Sequence, residues 1–301
     1  MSVFFPARRS TRGRPGAALR ALLVALACAA PEPSGGRTDD AGDPLPPRAA
    51  RTRIVSLSPA TTELLFALGA GDRVVGRTHW DAWPPAARDV PDMGDGIRPN
   101  VEVVLSTRPD LVVLYATGDN RDAARAFRAA GIDVLSLRMN RIEEFEHATR
   151  LLGDVLGAEA AAGIIVDSVR ATLERVRLAT RDLERPSVFL LSWPNPLLTI
   201  GAGSFLSQLV EIAGGRNLFD DLPDPSPAVS FEEVLRRDPD VVLAGPQRLA
   251  MMRASGLWNT LPAVRGGRML QLDTALTGRP GVRLGEAAVS IARLLHPERV
   301  R

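Results

Sequence analysis

One phrase occurs twice in this chain, at an offset of 130 residues (Glu232 against Glu102), and it constrains the fold more than any other feature. Val101-Glu102-Val103-Val104-Leu105 leads through Arg108-Pro109-Asp110 into the apolar run Leu111–Leu114. Phe231-Glu232-Glu233-Val234-Leu235 leads through Asp238-Pro239-Asp240 into Val241–Leu243. Leu105 aligns with Leu235, Pro109 with Pro239 and Asp110 with Asp240, without a gap. Each copy reads as a short helix, a Pro-Asp turn and a buried strand. The copies fall near the middle of the two halves of the region that begins at Arg53, which points to two lobes of like construction.

The surrounding sequence has an alternating α/β rhythm. Ile54–Leu57 reads as a short buried strand, and Ser58-Pro59 supplies a helix cap and a first-turn proline. The helix runs through Glu63, Leu64, Leu65 and Leu68 and stops at Gly69, and Arg73–Gly76 is the next strand. Such a succession predicts parallel sheets, an α/β fold. Between the two copies, Ala162, Ile165, Val169, Leu173 and Val176 recur at helical spacing. A helix over Glu159–Leu183 spans about 37 Å at 1.5 Å per residue and can act as a strut between the halves. The boundaries expected are 52–157 for the first lobe, 158–184 for the connecting helix and 185–301 for the second lobe.

The amino terminus reads as an export signal over residues 1–28. Arg8, Arg9, Arg12, Arg14 and Arg20 precede the apolar stretch Ala21–Ala27, which ends in an Ala-x-Ala site. The only cysteine, Cys28, follows directly. A lone cysteine forms no internal disulfide, and this position matches that of a lipid-modified residue. A lipid at Cys28 would tether the protein to a membrane surface without a spanning helix. Residues 29–51 are rich in Pro, Gly and Asp and read as a disordered tether.

Charge excludes other classes. The 37 basic and 35 acidic residues are interspersed and leave a net charge of +2. No basic block marks a nucleic-acid surface. Every basic residue is arginine; the absence of lysine removes any Walker loop. There is no G-x-S-x-G elbow. The three histidines, His79, His147 and His296, form no zinc-binding pattern. The sequence therefore reads as that of a non-enzyme, with no intrinsic cofactor or metal.

In open parallel sheets, ligands sit beyond the carboxyl ends of strands. The residues found there are Ser58 after the first strand, Trp80 and Trp83 after the second, Tyr115 after the third, Trp193 after Val188–Ser192, and Arg279 and Arg283 after Met269–Leu272. Three of the four tryptophans and the only tyrosine lie at such ends. Rings with a few polar groups suit a large flat or macrocyclic ligand. Trp258 and His147 read as a packing and a surface residue.

Arg53–Leu64 (RIVSLSPATTEL) resembles the opening of the periplasmic binding proteins for cobalamin and iron siderophores. Asn100-Val101-Glu102, Pro109–Val112, Ala213–Asn217 and Trp258–Val264 are similar to further phrases of that family, in the same order. The resemblance implies two Rossmann-like lobes joined by a single long backbone helix (a class III periplasmic binding protein), with little closing motion. It also implies a monomer that holds its ligand between the lobes and delivers it to an ABC permease and ATPase, in the periplasm or at the outer face of the cytoplasmic membrane. A cobalamin-like corrinoid is the expected ligand. Haem, with Tyr115 or His79 on the iron, and a ferric siderophore facing Arg279 and Arg283 are the alternatives. An enzyme on a doubly wound scaffold is a further one. In cobalamin-binding members, one surface glutamate per lobe meets permease arginines, and Glu102 and Glu232 match those positions.

Overall fold

The computed structural model describes residues 37–300. The expected signal segment 1–28, the lipidation candidate Cys28 and residues 29–36 lie outside the described residues.

The first lobe runs β1 (Ile54–Ser56), α1 (Pro59–Ala67), β2 (Val74–Gly76), α2 (Val101–Ser106), β3 (Leu111–Tyr115), α3 (Arg121–Ala129), β4 (Asp133–Leu137) and α4 (Ile142–Leu156). The connecting helix α5 (Glu159–Thr180) follows. The second lobe runs β5 (Ser187–Leu190), the hairpin β6 (Trp193–Pro194) and β7 (Leu197–Leu198), α6 (Phe205–Ile212), β8 (Arg216–Asn217), α7 (Phe231–Arg237), β9 (Val241–Ala244), α8 (Pro246–Ala254), α9 (Pro262–Arg265), β10 (Met269–Gln271), α10 (Thr274–Thr277) and α11 (Leu284–Leu295).

The two main sheets are parallel and share one strand order. The first is β2-β1-β3-β4; the second, read in the matching direction, is β8-β5-β9-β10. The repeat explains this equivalence atom by atom. Asn100 caps α2 by accepting from Val103 N, and Ser230 caps α7 by accepting from Glu233 N. Arg108 and Asp238 are the two non-glycine residues with positive φ among those described, at 51° and 45°. This left-handed turn reverses the chain from helix into strand. Asp110 then accepts from Thr52 N, Thr52 Oγ1 and Arg53 N, ahead of β1. Asp240 accepts from Ser187 N and Ser187 Oγ, at the start of β5. In each lobe the repeated aspartate thus ties the strand that follows it to the lobe's first strand.

Helix α5 is three residues shorter than expected at its carboxyl end, because Arg181 caps it. It packs against α4 from the first lobe and α6 and α11 from the second. Its buried stripe is Ala162, Val166, Val169, Leu173 and Val176. Fully burying a valine or leucine side chain stabilises by roughly 1.5–3 kcal/mol. The same apolar cluster takes in β1, β3 and β4 of one lobe and β5 and β9 of the other, so the lobes share a core.

Residues 37–51 correct the expectation of a free tether. Asp39 Oδ2 accepts from Ser136 N at 2.9 Å, and Asp40 N donates to Ser136 O at 3.0 Å. Arg51 is buried and pairs with Asp133 at 2.5 Å. Polar composition argues against a packed core, but a few directed bonds suffice to lay the segment along β4, whose outer edge it covers. Trp258 is buried between Phe189 and Phe231, and His147 is exposed near Asp40.

Asp240→Ala removes the acceptor for the buried Ser187 N–H and is expected to destabilise the fold by about 2 kcal/mol. Chemical denaturation checks this; an unchanged midpoint would contradict the role given to the repeated aspartate.

Candidate functional site

The carboxyl ends of both sheets face a common cleft of about 610 Å³. This lies within the roughly 300–1,000 Å³ usual for small-molecule sites. The chain order within each sheet reverses between β1 and β3, and again between β5 and β9. These are the switch points where such sheets leave a crevice.

The first lobe builds an aromatic wall. Ser58 caps α1 with its backbone only; its side chain makes no capping bond and lies on the cleft wall. The loop after β2 is anchored from below by Asp81, which is buried. Asp81 accepts from the hydroxyls of Thr62 and Thr78 and from Thr78 N. Trp80 N in turn donates to Thr78 Oγ1 at 3.3 Å. The pinned turn leaves the Trp80 ring 64% exposed at the cleft mouth, with His79 against it at 4.4 Å. A Cβ at Gly96 would overlap Leu57 O, so glycine is what lets the Asp95–Ile97 loop close over the end of β1. Buried Asn120 ties this loop to β3 by donating to Gly96 O and Tyr115 O.

Tyr115 ends β3 and lines the cleft. Its hydroxyl donates to Asn140 Oδ1. Burial pushes the phenol up from its ordinary value, and nearby Glu144 adds to the shift. The second lobe contributes Ser192, Ile200, Phe205, Pro225 and the Thr277–Pro280 turn, a mainly aliphatic and small-residue wall. Arg279 is the only cation lining the cleft among the described residues. It donates through Nε to Glu63 at 2.6 Å. Burial raises the Glu63 carboxyl, and Arg279 opposes that rise.

Ser58, Trp80, Tyr115 and Arg279 are therefore brought together, whereas Trp83, Trp193 and Arg283 are not on the cleft wall. Arg283 lies over the Trp83 ring at 4.3 Å and pairs with Glu286, so the two residues occupy each other. Trp193 is 52% exposed because the β6–β7 hairpin turns it away, with Arg248 at 5.4 Å from its ring. His79 also lies outside the lining. Sequence reasoning missed Glu63, Asn140, Ile200 and Phe205. None left a local signal: that Glu63 is enclosed on its helix with Thr61, Thr62, Leu64 and Leu65 is visible only in the structure. Glu102 and Glu232 are both exposed, in the first turns of α2 and α7. Among the described residues no group of three or more His, Cys, Asp or Glu is placed to hold a metal ion, and no helix is long and apolar enough to cross a membrane.

Comparison with known proteins gives one consistent result. The periplasmic binding protein family matches residues 54–276. The chain is 30% identical to an uncharacterised ABC transporter substrate-binding lipoprotein of Bacillus subtilis over 256 residues, covering 82% of this chain and 80% of that protein. It is 32% identical to a vitamin B12-binding protein of Salmonella paratyphi A over 216 residues, covering 70% and 79%. A solved periplasmic haem-binding protein from Roseiflexus superposes with a TM-score of 0.72 at 27% identity, covering 81% of this chain and 98% of that one. Each is named as a binding protein, and none as an enzyme.

Burial places the Asp81 carboxyl above its unfolded value, with the Thr62 and Thr78 hydrogen bonds acting against that. A raised folded value means that its contribution favours the fold at low pH and is lost as pH rises through that value. Wild type is therefore expected to lose stability relative to Asp81→Asn as pH rises above the ordinary carboxyl value (about 3.9). Denaturation series at several pH values test this, and parallel profiles would contradict it.

Proposed function

The chain belongs to the periplasmic binding protein family, and we propose that it is the extracytoplasmic binding component of an ABC importer, carrying a cobalamin-like corrinoid in the inter-lobe cleft. The observation that carries this reading is the cleft itself. A broad, mainly apolar space is walled by the Trp80 and Tyr115 rings on one side and by Ile200 and Phe205 on the other. Exposed Trp80 offers a flat face at the mouth, where a large macrocycle can stack. The 32% identity to a vitamin B12-binding protein supports the same ligand class.

Haem is the rival, and Tyr115 weighs against it. A tyrosine that ligates iron does so as phenolate. Here the hydroxyl donates to Asn140, and burial holds its proton on more tightly than usual. His79, the other candidate ligand, is not on the wall. In this reading Ser58, Trp80, Tyr115 and Arg279 meet the ligand, while Trp83, Arg283 and Trp193 lie off the wall. A lipid at Cys28 would keep the protein beside its permease.

Glu102 and Glu232 are the proposed permease contacts, one per lobe. Glu233, next to Glu232, is committed to Arg236 and Arg237, which hold its carboxyl at about 2. Glu102 and Glu232 have no ion-pair partner among the described residues. Two well-separated acids fix orientation and aid association with a basic surface.

Isothermal titration of the full chain with cyanocobalamin is expected to give one-to-one binding. Trp80→Ala should weaken it about tenfold, the loss of one stacked ring. Binding of haem but not of cyanocobalamin would overturn the corrinoid assignment. The double variant Glu102→Ala, Glu232→Ala is expected to keep ligand affinity and to lose stimulation of the transporter's ATPase; retained stimulation would refute the docking assignment.

A further inference from the structure

Arg279 enters the cleft from the second lobe, yet its guanidinium is held by the first. Its Nε donates to Glu63 Oε1 of α1, and both side chains are enclosed, Glu63 2% and Arg279 15% exposed. A Cβ at Gly281 would overlap Glu63 Oε2, so the turn after Arg279 closes over this carboxylate because residue 281 is glycine. The neighbouring cation, Arg283, is used up by the Trp83 ring and Glu286. Arg279 is different. Its bond to Glu63 occupies the Nε side, and its two terminal nitrogens have no acceptor among the described residues. They belong to the only cation on the cleft wall among those residues. The acid on that wall, Asp95, has Oδ1 engaged by Ile97 N.

A guanidinium held at Nε presents its remaining N–H groups as a planar fork, which matches a phosphate or carboxylate. We propose that Glu63 is a positioning residue that aims Arg279 from the opposite lobe, so that Arg279 receives an anionic group carried by the ligand. The substrate class is therefore a macrocycle with an anionic appendage: the phosphodiester of a corrinoid's nucleotide loop, or a carboxylate of a porphyrin. This rests on the carrier reading above and narrows it.

The test compares ligands that differ in that group. The full chain is titrated with cyanocobalamin and with dicyanocobinamide, which lacks the phosphodiester together with the ribose and base, so that the change in ratio on Arg279→Gln reads the charged group, and likewise with haem and its dimethyl ester. Wild type is expected to prefer the charged member of the pair it binds by about tenfold, which corresponds to 1.4 kcal/mol. Arg279→Gln should bring the ratio close to one, and Glu63→Gln should lower it severalfold. A ratio measured on one preparation is insensitive to partial misfolding, so a merely structural role of Glu63 would lower both affinities and leave the ratio alone. A wild-type ratio near one, or a ratio unchanged in Arg279→Gln, would overturn the proposal. A ratio lost in Arg279→Gln but kept in Glu63→Gln would overturn the positioning role. Binding without discrimination sinks this inference alone; no binding of either pair sinks the carrier reading and this inference with it.

Discussion

The shared apolar core along α5 is the constraint on which the rest depends. Neither lobe closes its own inner surface. Buried residues of α4, α5, α6 and α11 form one cluster with strands of both sheets. Separating the lobes would expose that surface to water, at roughly 25 cal/mol per Å². Hydrogen bonds at the cleft floor add direction to this cohesion. Phe205 N donates to Asn140 O, Ile142 N to Gln208 Oε1, and Arg141 Nη1 to Ala202 O, each across the two lobes. The Glu63–Arg279 pair makes a further tie at the wall. This packing joins the lobes beneath the cleft, and a site preformed in this way loses less entropy on binding.

The cleft exists because one local solution is used twice. The capped helix, left-handed turn and aspartate staple recur at the same offset and give both sheets the same strand order. Their strand ends then face each other across the cleft. The walls differ because the loops differ: the β2 loop carries Trp80 over the Asp81 anchor, whereas the second lobe offers Ile200, Phe205 and the Arg279 turn. Like scaffolds with unlike loops suit a ligand with one stacking face and one polar edge.

The architecture was legible in the sequence because the repeat encodes backbone needs. Pro109, Asp110 and their counterparts are required by a turn, and turns are local. Ser58, Trp80 and Tyr115 were legible through the strand-end rule. That rule fails for Trp193, because a two-strand hairpin of residues 193–198 re-aims it, and for Trp83, because Arg283 from 200 residues downstream covers it. Glu63 and Asn140 act through side-chain partners remote in sequence, Arg279 and Tyr115, so no local pattern marks them. The 37–51 segment was misread because composition weighs averages, and three residues, Asp39, Asp40 and Arg51, hold it by specific bonds.

A crystal structure of the full chain with cyanocobalamin measures the main claim directly. The corrin should lie between Trp80 and Tyr115 on one side and Ile200 and Phe205 on the other, with the lobes displaced by no more than about 1 Å from their free positions. A macrocycle bound outside the cleft, or lobes that rotate apart so that Glu63 and Arg279 separate, would contradict it.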